Sequence, residues 1–251
     1  MSQVESPATE AAGLTQIQRV TNTFTAPSKT FEDIRRGNRS WWLPLIVLAL
    51  IGYIFFAVVN QRVGMQQVVD NQIRLNPQSQ ERMANATPEQ RARGNNIAVG
   101  ITKGAFLGGP LLGLIAAALI SLGLLATINF IFGGRAKYGQ VFAVTYYAWL
   151  PTTVKYLLGI VVLYAGMAPE SFNIKNFSPT NAGAFLDPLA TNHALYSLAS
   201  WCDIVTIWTL VLMGMGLAAV AGVKRRSGYI AVFGWWALFA LIAAGWAAAF
   251  G

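Results

Sequence analysis

Five stretches of the chain are long enough and free enough of charge to cross a lipid bilayer as helices. A bilayer core about 30 Å thick asks for roughly 20 mostly apolar residues. Such runs fall at about 41–59, 104–132, 141–167, 198–223 and 229–250. The third is interrupted only by Lys155 and the fourth only by Asp203. None alternates polar and apolar residues as a barrel strand does, so the pattern predicts helices. The expected fold is an all-α polytopic membrane protein with five transmembrane helices and short amphipathic N-terminal helices.

The remaining segments divide the chain further. Residues 1–14 are small, polar and acidic and read as a disordered tail. Over 15–40, Ile17, Val20 and Phe24 recur at helical spacing, Pro27 ends one helix or starts the next, and Phe31 and Ile34 share a face. Glu32 and Asp33 precede Arg35 and Arg36, as a helix dipole prefers, and Gly37–Asn38 suits a helix end. This segment reads as amphipathic helices on the membrane surface, with Phe24, Phe31 and Ile34 on the bilayer; a partner-docking helix shows the same pattern. Residues 41–251 form the five-span domain. Between spans one and two, Met65, Val68, Val69 and Ile73 extend a helical stripe to Asn76–Pro77. Thr87–Pro88–Glu89–Gln90 is a helix start with a capping box. Gly108–Gly109–Pro110 should kink the second span.

Composition agrees with membrane residence. Of 251 residues, 55% are hydrophobic and 11% charged, against about 25% charged in soluble domains; mean hydropathy is +0.47. One Cys and one His exclude a disulfide framework and a zinc site built on those residues. No apolar run precedes residue 41 that could serve as a signal-peptide core. Lys and Arg cluster before span one, between spans two and three at Arg135 and Lys137, and between spans four and five at Lys224, Arg225 and Arg226. The positive-inside rule then puts the N-terminus in the cytoplasm and the C-terminus outside. The longer segment between spans one and two is also basic, but only Arg62 and Lys103 lie close to a hydrophobic end. The net charge of +8 reads as topology and contact with anionic lipid, not nucleic-acid binding.

Three groups of residues carry a resemblance: Phe24–Thr25–Ala26–Pro27 with Phe31, Ile34 and Trp41–Trp42; the stretch from Phe132–Gly133–Gly134–Arg135 through Tyr138 to Tyr147–Ala148–Trp149–Leu150–Pro151; and Trp208 with Gly216–Leu217 before a basic turn. Over roughly residues 20–250 the chain resembles the Yip domain family, the Ypt-interacting membrane proteins. The family-motif positions are Pro27, Gly133, Gly134, Tyr138 and Pro151. The resemblance implies a cytoplasmic N-terminus and five spans. Eukaryotic members are linked to Rab-type GTPases; this chain lacks their aspartate-containing acidic motif and resembles the prokaryotic branch, which implies a bacterial cytoplasmic membrane.

Charged residues inside spans are costly and normally face a partner or water. Lys155 and Asp203 sit at matched depth on consecutive antiparallel spans, so they are an intramembrane ion-pair candidate; snorkelling of Lys155 or an ion relay are the alternatives. Small residues at spacing of four line span two (Gly104, Gly108, Gly109, Gly113), span four (Gly214, Ala218, Gly222) and span five (Ala240, Ala244, Ala248), and let helices approach closely. No phosphate loop, metal motif or nucleophile elbow occurs. His193 and Cys202, near Asp203, read as a loop residue and a small packing residue. No catalytic, cofactor or metal residues are expected. The expected function is a non-enzymatic membrane scaffold or accessory subunit that docks a membrane-protein partner through its cytoplasmic N-terminal helices and its spans, or self-associates through small-residue helix faces. The alternative is a transporter or lipid-handling protein using Lys155 and Asp203.

Overall fold

The computed structural model describes residues 13–250, the side chain of Phe250 excepted. Most of the expected tail, residues 1–12, lies outside them. The fold is all-α, 78% helical and without strands among the described residues. Its α-helices are α1 (Gln16–Thr25), α2 (Pro27–Arg35), α3 (Trp42–Arg62), α4 (Met65–Arg74), α5 (Pro77–Ala84), α6 (Pro88–Leu107), α7 (Gly109–Ala126), α8 (Tyr138–Ala148), α9 (Thr152–Tyr164), α10 (His193–Trp201), α11 (Ile204–Ala221) and α12 (Arg225–Phe250). A π-helical turn, Thr127–Ile131, continues α7. Five segments are long and apolar enough to span a membrane: Trp42–Arg62, Gly109–Ile131, Tyr138–Tyr164, Ile204–Ala221 and Arg225–Ala249. The molecule is a multi-pass membrane protein. The near end is where α3 begins; α4–α6 lie at the far end.

Two spans begin later than hydropathy alone suggests. In the second, α6 stops at Leu107 and α7 starts at Gly109, because Pro110 cannot donate a backbone hydrogen bond. In the fourth, α10 ends at Trp201, and Asp203 is extended (φ −127, ψ 129) before α11 starts. The backbone there pairs with the loop before it: Ala182 N–H donates to Cys202 O at 2.9 Å and Ile204 N–H to Thr180 O at 3.1 Å. The helix start at residue 87 forms as its chemistry dictates. Thr87 Oγ1 accepts from Gln90 N–H at 3.3 Å, and Thr87 N–H donates to Gln90 Oε1 at 2.9 Å.

The small-residue faces serve different ends. Along α11 they seat α12: a Cβ on Gly214 would lie 2.5 Å from the Tyr229 ring, and one on Gly228 would collide with Gly214 O. Ala240 and Ala244 are buried as well. By contrast, a Cβ on Gly104, Gly109 or Gly113 meets nothing within 4 Å, so these glycines make no close helix contact among the described residues.

The N-terminal segment departs most from its expected place. Phe31 and Ile34 are fully buried, with Val141, Val144, Tyr147 and Leu217 in one core cluster. The apolar face expected on the bilayer surface is therefore occupied by protein, with α2 packed on α8 and α11. The room comes from Gly216, where a Cβ would lie 2.6 Å from Val144 Cγ1 and 2.8 Å from Phe31 Cδ1. Phe24 is partly exposed and meets Trp208 edge-on, with ring centroids 5.8 Å apart. Gly216→Leu should force α2 out of this notch, at about 1–3 kcal/mol for overpacking. The expected readout is a lower Tm in detergent together with new protease cleavage within residues 13–40. Unchanged protection would show that α2 does not depend on the notch.

Candidate functional site

Among the described residues, two ion pairs are buried in the fold. The first joins α1 to α2. Arg19 is 1% exposed, and its Nε lies 3.5 Å from Asp33 Oδ2. Its Nη1 donates to Asn38 O at 3.1 Å and Ser40 O at 3.2 Å, and the guanidinium lies over the Tyr147 ring. Asp33 in turn accepts from Leu14 N–H at 3.0 Å and Asn38 Nδ2 at 3.1 Å. Thr23 and Thr30, both fully buried, donate to Arg19 O, and Gln16 reaches Ser40 and Tyr147. A buried charge needs such a set, because removal from water is costly unless its hydrogen bonds are replaced. On the exposed side of α2, the Arg35 guanidinium hydrogen-bonded to Glu32 holds that carboxyl below its ordinary range.

The second pair is Lys155 on α9 with Asp203 before α11. Lys155 Nζ lies 3.1 Å from Asp203 Oδ2; Asp203 is 1% exposed and the lysine side chain 18%. Asp203 Oδ2 also accepts from Thr180 Oγ1 at 3.2 Å, while Oδ1 accepts from Thr206 N–H at 2.9 Å and so caps α11. Lys155 Nζ sits 5.6 Å from the centroid of the Phe177 ring. One carboxylate thus ties α9, the loop before α10 and the first turn of α11 together. Sequence placed Asp203 inside a helix; the structure makes it the cap at a helix break, which adds a third task to its pairing.

Beside this pair lies a cavity of about 460 Å³. Leu45, Leu48, Ala49, Gly52 and Tyr53 of α3 form one wall, and Gly109, Pro110 and Gly113 of α7 face them with Ala105 and Phe106 of α6. Tyr146, Trp149, Thr152, Tyr156, Thr206 and Thr209 close it from behind. The hydroxyls of Tyr146 and Thr209 are buried with no partner in the structure.

The family-motif positions gather at the near end and at the helix break above it. Pro27 opens α2, where a missing N–H is harmless. Gly133 takes a left-handed φ of +67, and a Cβ on Gly134 would lie 2.9 Å from Ala221 Cβ and Ile128 O. The chain can therefore turn tightly under α11, where Arg135 N–H donates to Ala221 O at 3.0 Å. Tyr138 begins α8, and Pro151 marks the break between α8 and α9. These positions shape backbone and present no reactive group. His193 and Cys202 sit at opposite ends of α10, with Cys202 exposed rather than packed. Among the described residues, no group of three or more His, Cys, Asp and Glu could hold a metal ion.

Sequence reasoning missed Arg19 and Asp33 as a pair, because both charges had simpler uses in topology and in the helix dipole. A polar stripe was there to find: Arg19 and Thr23 lie four apart on α1, and Thr30 and Asp33 three apart on α2.

Five apolar spans, an N-terminal helical hairpin packed into the bundle and charges paired within the fold define a multi-pass helical membrane protein. The chain belongs to the Yip1 domain family, which it matches over residues 21–247. It is similar to "Membrane protein YknW" of Bacillus subtilis (strain 168), with 26% identity over 222 residues, covering 87% of this chain and 86% of that protein. No solved structure matches it.

The two residues of the second pair should not be equivalent. Lys155→Met leaves Asp203 with its cap and Thr180, whereas Asp203→Leu strands a buried ammonium and uncaps α11. Breaking one side of a buried pair costs about 3–5 kcal/mol, and a lost cap about 1 kcal/mol more. Asp203→Leu should therefore lower Tm in detergent more than Lys155→Met, and the double variant should recover much of the loss but not the cap contribution. Simple addition of the two single losses would show that the residues are not coupled.

Proposed function

We propose that this protein is a non-enzymatic membrane scaffold or accessory subunit of a membrane assembly, docking a membrane-protein partner through α6. The observation that carries this reading is that none of the twenty residues of α6 is buried. Ile97 and Ile101, four apart on one face, are 53% and 67% exposed beyond the apolar span. Helices in water owe most of their stability to packing of one face; α6 packs Val99 and Phe106 against its own chain and leaves Ile97 and Ile101 uncovered. The small-residue faces of α11 and α12 are used within the chain; that of α7, at Gly109 and Gly113, is open to self-association or to another occupant. The buried charges support the reading too, since each is paired with an opposite charge rather than arrayed along a path.

The basic residues at the near end favour a cytoplasmic N-terminus in a bacterial cytoplasmic membrane, with α4–α6 outside. Cysteine-accessibility labelling should then place positions 37, 137 and 226 inside and position 175 outside. Labelling of position 175 from the inside alone would invert the topology. In a purification of the full chain from mild detergent, Ile97→Asp with Ile101→Asp should release a partner that the unaltered chain retains, at unchanged Tm. A partner held equally by both forms, or an unaltered chain that emerges alone, counts against docking through α6.

A second reading, transport or lipid handling by Lys155 and Asp203, draws on the cavity that reaches Thr206 beside the pair. A stable Lys155→Met, Asp203→Leu double variant without biological activity would favour it.

A further inference from the structure

A cavity of about 1030 Å³ lies at the far end, bounded by α4, the loop before α10, α10 itself and the later turns of α12. We infer that it binds one anionic glycerophospholipid from the adjacent leaflet, with the lipid phosphate at the Lys175 ammonium and an acyl chain along α12. The cavity has two kinds of wall. On α12, Phe239, Ile242 and Trp246 follow one another at spacings of three and four, so they share a helix face, and all three are exposed. That helix belongs to a membrane-spanning segment, so this wall meets hydrocarbon, and a tryptophan at a span's end sits at the headgroup level. From Trp246 back to Phe239 is about 10 Å at helical rise, enough for the upper carbons of an acyl chain.

The other wall is polar and selects the occupant. Lys175 is exposed and lines the cavity. No carboxylate pairs with it among the described residues, and no acidic residue lines the cavity. The buried cations Arg19 and Lys155 each have a carboxylate; Lys175 has none. The loop nonetheless holds it in place. Lys175 N–H donates to Asn173 Oδ1 at 3.0 Å, and Nζ lies 5.5 Å from the centroid of the Tyr196 ring. That ring is fixed in turn, since its hydroxyl accepts from Asn173 Nδ2 at 2.9 Å and Asn176 Nδ2 at 2.8 Å. Crowding by protein lowers the Lys175 pKa from its ordinary value, and a paired anion restores what the lost water supplied. The half-buried His193 ring also lines the cavity and makes no hydrogen bond among the described residues, so it has an N–H for a phosphate oxygen. A positioned cation without a counter-charge, beside an apolar wall, fits an anion that carries its own hydrocarbon. A soluble anion leaves the α12 wall uncovered, and a neutral lipid leaves Lys175 unpaired. The assignment rests neither on docking through α6 nor on the pair of Lys155 and Asp203.

The full chain, purified in mild detergent, is titrated with dioleoyl phosphatidylglycerol, with dioleoylglycerol and with glycerol phosphate, and bound molecules are counted by native mass spectrometry. One phosphatidylglycerol should bind per chain, dioleoylglycerol at least tenfold more weakly, and glycerol phosphate should not displace the lipid. Lys175→Gln should weaken phosphatidylglycerol binding roughly tenfold to a hundredfold, the range of a hydrogen bond to a charged group, while Lys175→Arg retains it. Ala243→Trp, which fills the cavity from α12, should weaken it at least tenfold at unchanged Tm. Lys103→Gln, an equal loss of charge outside the cavity, should leave it unchanged. Equal binding of dioleoylglycerol, or full binding by Lys175→Gln, overturns the anion site. Displacement by glycerol phosphate overturns the lipid in favour of a soluble phosphate. Full binding by a folded Ala243→Trp overturns the place of the acyl chain, and the two Lys175 variants decide the phosphate contact even where Ala243→Trp lowers Tm. A loss in Lys103→Gln equal to that in Lys175→Gln overturns the site by reducing it to general attraction between basic residues and anionic lipid.

Discussion

In a bundle immersed in hydrocarbon, water cannot satisfy a polar group, so each one must find its partner inside the chain. That constraint explains the internal construction. Asp203 can occupy a helix break because its carboxylate meets Lys155, Thr180 and the Thr206 N–H together. Ser121 and Thr145 pair across α7 and α8 at 3.0 Å. Arg19 is buried only because Asp33, Asn38 and Ser40 surround its guanidinium. The rule is left open at a few buried atoms, among them the hydroxyls of Tyr146 and Thr209 and the indole N–H of Trp236.

The Arg19 network changes what the N-terminal segment is. A surface helix would turn its apolar face to lipid and could leave the membrane without disturbing the spans. Here Phe31 and Ile34 are core residues, and the loop to α3 is tied to α1 through the backbone oxygens of Asn38 and Ser40. The hairpin is built into the bundle, with Thr21, Thr25 and Lys29 exposed on its outer side beside Ile17 and Phe24. The glycines of the family pattern have the same origin. Gly133 and Gly134 let the chain pass under α11, and Gly216 makes the notch that receives Phe31.

The far end follows a different logic. There α6 extends beyond the apolar spans with no residue buried, while α4 is fastened to the loop before α10 by Asn71, whose Nδ2 donates to Pro169 O at 2.8 Å and Phe172 O at 2.9 Å. One arm of this projection is anchored to the loop and the other leaves Ile97 and Ile101 exposed.

The five spans, the capping box at Thr87, the break at Gly108–Pro110 and the family were legible in the residues alone. Each follows from local rules: hydropathy over a bilayer's thickness, side chains capping their own helix, a proline without its N–H. The matched depths of Lys155 and Asp203 were legible for the same reason, since rise per residue converts sequence position into height. Which face of a helix meets which neighbour was not. The pattern of Phe31 and Ile34 is the same whether lipid or protein covers it, and only Gly216 on a distant span decides. Gly109 and Gly113 have the spacing of a helix contact, yet they border a cavity because α3 leans on α9 instead. Amphipathicity states that a surface must be covered; the identity of the cover depends on the packing of all the helices at once, and that was decided only in the tertiary structure.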